Sequence, residues 1–130
     1  MASWKVLVVD DEKEFAATLA ERLTLRGITT ATADGGEQAL RCMAQDPPHI
    51  VILDMKMPGM SGMEVLRLIK RDYPKVPVIL LTGQGTTGES MEGLGGGAFD
   101  YMVKPVKIEE LLQKMREALS EADIATTKKG

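Results

Sequence analysis

The chain has 130 residues, 44% of them hydrophobic and 27% charged, which suits a single domain with its own core and excludes a disordered chain. Sixteen basic against nineteen acidic residues leave a net charge of -3, the wrong field for gripping a phosphate backbone, so no direct nucleic-acid binding by this domain is expected. The lone Cys42 can form no internal disulfide and fits no zinc spacing, and no apolar stretch reaches the length of a membrane span or a signal-peptide core, so a reducing, cytoplasmic setting without a membrane partner is expected.

In chain order, the first element is an aliphatic run, Val6-Leu7-Val8-Val9, read as a strand. Phe15, Leu19 and Leu23 then recur at helical spacing, and Gly27 stops that helix. The β-branched Ile28-Thr29-Thr30-Ala31-Thr32 is a weaker strand, followed by a helix marked by Ala39, Leu40 and Met43. His49-Ile50-Val51-Ile52-Leu53 is the third strand. Ser61 with Glu64 three residues on is a capping-box spacing, opening a helix through Val65, Leu66 and Ile69.

Val76-Pro77-Val78-Ile79-Leu80-Leu81 is the fourth strand. Seven of the thirteen glycines fall between Gly83 and Gly97, and an interior glycine costs a helix about 1 kcal/mol relative to alanine. A short or frayed fourth helix is therefore expected. Phe99-Asp100-Tyr101-Met102-Val103 is the last strand, and Ile108, Leu111, Leu112, Met115 and Leu119 mark a strong final helix. The polar tail Ala125–Gly130 is expected to be loose.

The order is β-α five times over. Continuous aliphatic strands without in/out alternation belong in a parallel sheet covered on both faces, and right-handed crossovers give an α/β, doubly wound, five-stranded architecture. In such a sheet the functional crevice lies beyond the carboxyl ends of the strands. There the chain places Asp10 and Asp11 after the first strand, Asp54 after the third, Thr82 after the fourth and Lys104-Pro105 after the fifth. Singly, each has an ordinary structural role: a helix cap, a turn aspartate, a turn lysine. Together, three carboxylates repel, and at least one should have a raised pKa unless a cation is present. Hard oxygen donors in this number suit Mg²⁺, which completes its shell with water and phosphate. The residues therefore point to a Mg²⁺-dependent phosphoryl site with one aspartate as nucleophile.

Four segments carry a family resemblance: Val6-Leu7-Val8-Val9-Asp10-Asp11-Glu12, Asp54-Met55-Lys56-Met57-Pro58-Gly59-Met60-Ser61-Gly62, Thr82-Gly83, and Gly97-Ala98-Phe99-Asp100-Tyr101-Met102-Val103-Lys104-Pro105. In that order, and over nearly the whole chain, they resemble the receiver domain of two-component response regulators. The resemblance implies a flavodoxin-like (βα)5 receiver over residues 1–124, with 125–130 as a flexible tail. It implies that Asp54 accepts a phosphoryl group from a sensor histidine kinase, a phosphotransfer protein or a small donor such as acetyl phosphate. Asp11, Asp54 and the backbone carbonyl of Lys56 then resemble direct Mg²⁺ ligands, with Asp10 in the metal's shell through water. Thr82 resembles the switch hydroxyl, Tyr101 the aromatic that rotates with it, and Lys104 the phosphoryl contact, usually before a cis proline. Lys56 and Gln84 occupy positions that tune phosphoryl lifetime in the family. The implied role is a signalling switch acting on a downstream effector or a covalently linked output domain, with phosphorylation-dependent dimerisation as a further option.

Two other chemistries compete. Gly83-Gln84-Gly85-Thr86-Thr87-Gly88 matches the dinucleotide fingerprint G-x-G-x-x-G, but the next strand begins with Asp100 and ends in Lys104, the wrong sign for a ribose contact. Phosphatases of the haloacid-dehalogenase type need an aspartate two residues after the nucleophile, where this chain has Lys56. A receiver-like scaffold without phosphorylation is the remaining option, although every key position carries the residue type that phosphorylation requires.

Overall fold

The computed structural model describes residues 4–83 and 88–129. Ten elements alternate: β1 (Lys5–Val9), α1 (Lys13–Thr24), β2 (Thr29–Ala33), α2 (Gly36–Gln45), β3 (Ile50–Asp54), α3 (Gly62–Asp72), β4 (Val78–Thr82), α4 (Gly88–Gly95), β5 (Asp100–Val103) and α5 (Ile108–Lys129). All strands are parallel, in the order β2-β1-β3-β4-β5. The chain steps outward from β1 to β2, returns to β3 on the other side, and then continues to β4 and β5. The direction reverses between β1 and β3, so the crevice of this sheet opens beside Asp10 and Asp54.

The aliphatic strands lack polar alternation because both of their faces are buried. Val6, Val8, Ile50, Ile52, Ile79 and Leu81 join one core with Leu19 and Leu23 of α1 and Leu111 and Met115 of α5. Leu7, Val9, Val51, Leu53, Val78 and Leu80 join the other, with Met43 of α2 and Val65, Leu66 and Ile69 of α3. β1, β3 and β4 are thus sealed between two apolar layers, which holds their carboxyl ends in fixed relative positions.

Several boundaries move by one or two residues from those expected, for local reasons. The N–H of Ile28 donates to Leu23 O at 3.1 Å and belongs to the end of the helical turn, so β2 begins at Thr29. Val76 donates to Tyr73 O in a turn and Pro77 has no N–H to give, so β4 begins at Val78. Asp54 is itself in the strand, in register with Leu81. The expected loose tail differs from the structure: the α5 backbone stays helical to Lys129, as no glycine or proline interrupts the run before Gly130. α4 is short, at eight residues. One of its glycines is required by packing, because a Cβ at Gly93 would run into the Leu80 side chain of β4. The Ser61–Glu64 capping box is present, with Ser61 Oγ accepting from Glu64 N at 3.2 Å and the Glu64 carboxylate accepting from Ser61 N at 3.3 Å.

The start of α3 is tied closely to the end of β3. A Cβ on Gly62 would lie 2.6 Å from Met55 Cα and 2.7 Å from the Asp54 carbonyl oxygen, both backbone atoms that cannot give way. Gly62→Ala should cost about 1–3 kcal/mol despite alanine's better helix propensity. Gly95→Ala, facing open space, should change stability by less than about 0.5 kcal/mol. Urea denaturation of the two variants checks the pair, and equal midpoints would contradict this packing.

Candidate functional site

Asp10, the residue after β1, is 1% exposed. Its backbone N–H donates to Ala33 O of β2, and its Oδ1 accepts the N–H of Glu12 at 2.9 Å. That bond closes a turn and does not cap α1, whose N-cap is Glu12, without a side-chain cap bond. The other oxygen, Oδ2, is buried without a hydrogen bond of acceptable geometry. A buried carboxylate oxygen needs a cationic partner, and the Lys104 ammonium lies beside this one. Asp11 is half-buried, and Asp54 is 6% exposed at the end of β3. The carboxylates of Asp10, Asp11 and Asp54 each bring an oxygen within 4.8 Å of the others.

Lys104 follows β5, where its N–H donates to Thr82 O at 2.8 Å. Its ammonium lies 2.8 Å from Asp10 Oδ2, 2.6 Å from Glu12 Oε1 and 3.7 Å from Asp54 Oδ1. It also sits 4.5 Å from the centroid of the Phe15 ring of α1, in cation–π range. The Lys104–Pro105 peptide is cis, as the resemblance implied.

The electrostatics follow from this crowding. Burial, then the charge of Asp10, and to a smaller degree that of Asp11, push the Asp54 carboxyl up to about 6, against the opposing pull of Lys104 and a hydrogen bond from the Lys56 N–H. Burial alone would push the Lys104 ammonium down, but the close carboxylates of Asp10 and Glu12, with the charge of Asp54, hold it above its ordinary value. The expectation that one carboxyl of the trio has a raised pKa is met at Asp54. The donor set fits a hard divalent ion: three carboxylates on two strand ends, with oxygens within 4.8 Å of one another and more negative charge than the one ammonium of Lys104 offsets.

Of the residues singled out in the sequence, Asp10, Asp11, Asp54 and Lys104 come together, and Lys56 adds its N–H to Asp54. Thr82 is buried and pairs in register with Val103. It shares strand parity with Val78 and Leu80 of the second core, against which the half-buried Tyr101 also packs. Asp10, Asp54 and Lys104 have the parity of Val8, Ile52 and Met102, which belong to the first core. The nucleotide-fingerprint residues Gln84–Thr87 lie outside the described residues. Asp100 pairs with Lys114 of α5 at 2.6 Å and is thereby occupied away from any ribose-binding role. Sequence patterning missed Glu12 and Phe15 as the other walls of the Lys104 site. The available signal was their place just after the aspartate pair, on the strand-to-helix edge.

Residues 6–116 match the family model described as the response regulator receiver domain. Among curated proteins, the chain is 38% identical over 117 residues to "Response regulator MprA" of Mycobacterium ulcerans, covering 90% of this chain and 50% of that protein. It is 40% identical over 114 residues to "Transcriptional regulatory protein KdpE" of Mycobacterium tuberculosis, covering 88% and 50% respectively. The chain thus spans about half the length of these relatives. Among solved structures, a response regulator receiver domain protein from Clostridium thermocellum superposes with a TM-score of 0.88 at 34% identity, covering 94% of this chain and 98% of that one.

The raised Asp54 pKa makes a linkage prediction. The folded state holds the Asp54 proton up to about pH 6 against 3.8 for an unperturbed group, so rising pH through that window costs stability, and the cost is fully present above it. Asp54→Asn removes the charge. In chelator at pH 7.5 it should unfold later than wild type by on the order of 2 kcal/mol, with the gap closing toward pH 4 and shrinking when Mg²⁺ is added. Equal midpoints in chelator at pH 7.5 would contradict the charge crowding.

Proposed function

The chain belongs to the response regulator receiver domain family, and from that premise we propose that Asp54 accepts a phosphoryl group and that the resulting charge switches the domain's surface. The observation that supports this reading most is the meeting of Asp10, Asp11, Asp54 and Lys104 at the point where the strand order reverses.

In the reaction, an Asp54 carboxylate oxygen attacks phosphorus in line. The phosphorus–nitrogen bond of a phosphohistidine, or the phosphorus–oxygen bond of an acyl phosphate, breaks as the new bond forms. The electron pair leaves with the imidazole or the carboxylate. The transferring group is nearly metaphosphate-like, so the protein's contribution is position and charge. Asp11 and Asp54 with the Lys56 carbonyl would hold Mg²⁺ directly and Asp10 through water, supplying neutralisation of the equatorial oxygens. Lys104 supplies a second positive charge, and Gly62 lets α3 approach the backbone of Asp54 closely enough to fix the acceptor.

Once formed, the acyl phosphate carries a strong charge and three acceptor oxygens. Thr82 turns its hydroxyl toward it and Lys104 grips it. Movement of Thr82 alters packing on the second-core side of the sheet, where Tyr101 lies, and so reaches α4, β5 and α5. The partners are a histidine kinase or phosphotransfer protein upstream. Downstream lies an effector or a linked output domain, in keeping with relatives about twice this length that are named as transcriptional regulators. The chain dephosphorylates itself as part of the same cycle and turns over no metabolite.

Incubation with acetyl phosphate and Mg²⁺ should add one phosphoryl group to the wild type by intact mass. Asp54→Asn should gain none, chelator should abolish the gain, and simple phosphomonoesters should not be consumed. No adduct on rapid quenching, and no beryllofluoride binding, would leave the scaffold reading in its place. A second expectation concerns α4, whose glycine content makes it marginal: activation should change amide-exchange protection between residues 89 and 97, and unchanged protection would remove α4 from the switch.

A further inference from the structure

Lys104 has two carboxylates closer to it than that of the acceptor. Its Nζ is 2.6 Å from Glu12 and 2.8 Å from Asp10, but 3.7 Å from Asp54. The two nearer partners differ in kind. The Asp10 side chain is fully buried and bound into its turn through Oδ1, so it cannot move away. The Glu12 side chain is 64% exposed. It occupies the N-cap of α1 without capping it, and its carboxylate accepts a hydrogen bond from Lys104 instead. The ammonium is also braced by the Phe15 ring one turn along. A half-exposed ion pair of this sort is weak enough to open and reclose.

We propose that Glu12 is a positioning residue for Lys104, holding the ammonium off Asp54 in the resting protein and releasing it to grip the phosphoryl group. This rests on Asp54 being the acceptor. A phosphoryl group on Asp54 carries more charge than the Glu12 carboxylate and draws the ammonium across. Asp10 stays in place and shares Lys104 in both states. Glu12 thereby opposes phosphorylation: the Lys104–Glu12 bond must break each time the domain is phosphorylated and re-forms when the group is lost. Glu12→Gln weakens the hold by removing its charge. Glu12→Asp keeps the charge but is one methylene too short to reach.

The test follows phosphorylation by acetyl phosphate with Mg²⁺, using intact mass, in wild type, Glu12→Gln and Glu12→Asp, each with Lys104 present and with Lys104→Met. Both Glu12 variants should be phosphorylated about two- to fivefold faster than wild type, and the gain should vanish in the Lys104→Met background. In the resting proteins, the Lys104 side-chain resonances should shift in both Glu12 variants. A gain that survives in Lys104→Met, or that appears in Glu12→Gln but not in Glu12→Asp, would mean plain repulsion of an anionic donor and would overturn the positioning role. So would unchanged rates or unchanged Lys104 resonances. If wild type itself gains no phosphoryl group, the acceptor reading falls and this role falls with it.

Discussion

Three carboxylates on two neighbouring strand ends, each with an oxygen within 4.8 Å of the others, carry more negative charge than the single ammonium of Lys104 can balance. Two of them, Asp10 and Asp54, are almost wholly buried, where repulsion is poorly screened. Such a cluster persists only if the scaffold holds it. Here the strands that bear it are sealed between two apolar layers, so relaxing the cluster would mean disrupting both cores. Burial, and after it this repulsion, raises the pKa of Asp54, and a divalent cation bound at the cluster would relieve the repulsion.

The sheet also separates two jobs. Asp10, Asp54 and Lys104 carry the strand parity of the core shared with α1 and α5, whereas Thr82 carries that of the core shared with α2 and α3, where Tyr101 packs. On the proposed reading, chemistry at the crest and repacking behind it would therefore lie on opposite faces of the sheet. Thr82 lies on the boundary: its carbonyl accepts the Lys104 N–H, while its register follows the second core. On the proposed reading, a change of charge at Asp54 would pass through Thr82, next in its strand to the Leu81 that Asp54 pairs with, to the elements beyond it.

Much of this was legible in the sequence because the signals were local or periodic. The aliphatic runs marked the strands, and Ser61 with Glu64 marked the start of α3. The rule that function gathers at the carboxyl ends of strands was enough to group Asp10, Asp11, Asp54 and Lys104 from residue order alone. What escaped depended on contacts far apart in the chain. Nothing in the sequence says that Lys104 would lean on Glu12, 92 residues away, or over the Phe15 ring. Strand edges shifted where a helix turn reached one residue further, at Ile28, or where Pro77 could not donate. The helical continuation through residues 125–129 escaped because a polar run reads alike as tail or as helix.

The most direct measurement is the titration of the Asp54 side-chain carboxyl carbon by NMR, with and without Mg²⁺. Repulsion and burial predict a midpoint near 6 in chelator, moving down into the ordinary carboxylate range as Mg²⁺ is added. An ordinary midpoint in chelator, or one that Mg²⁺ leaves where it was, would contradict the account that charge crowding at this strand edge is relieved by a bound cation.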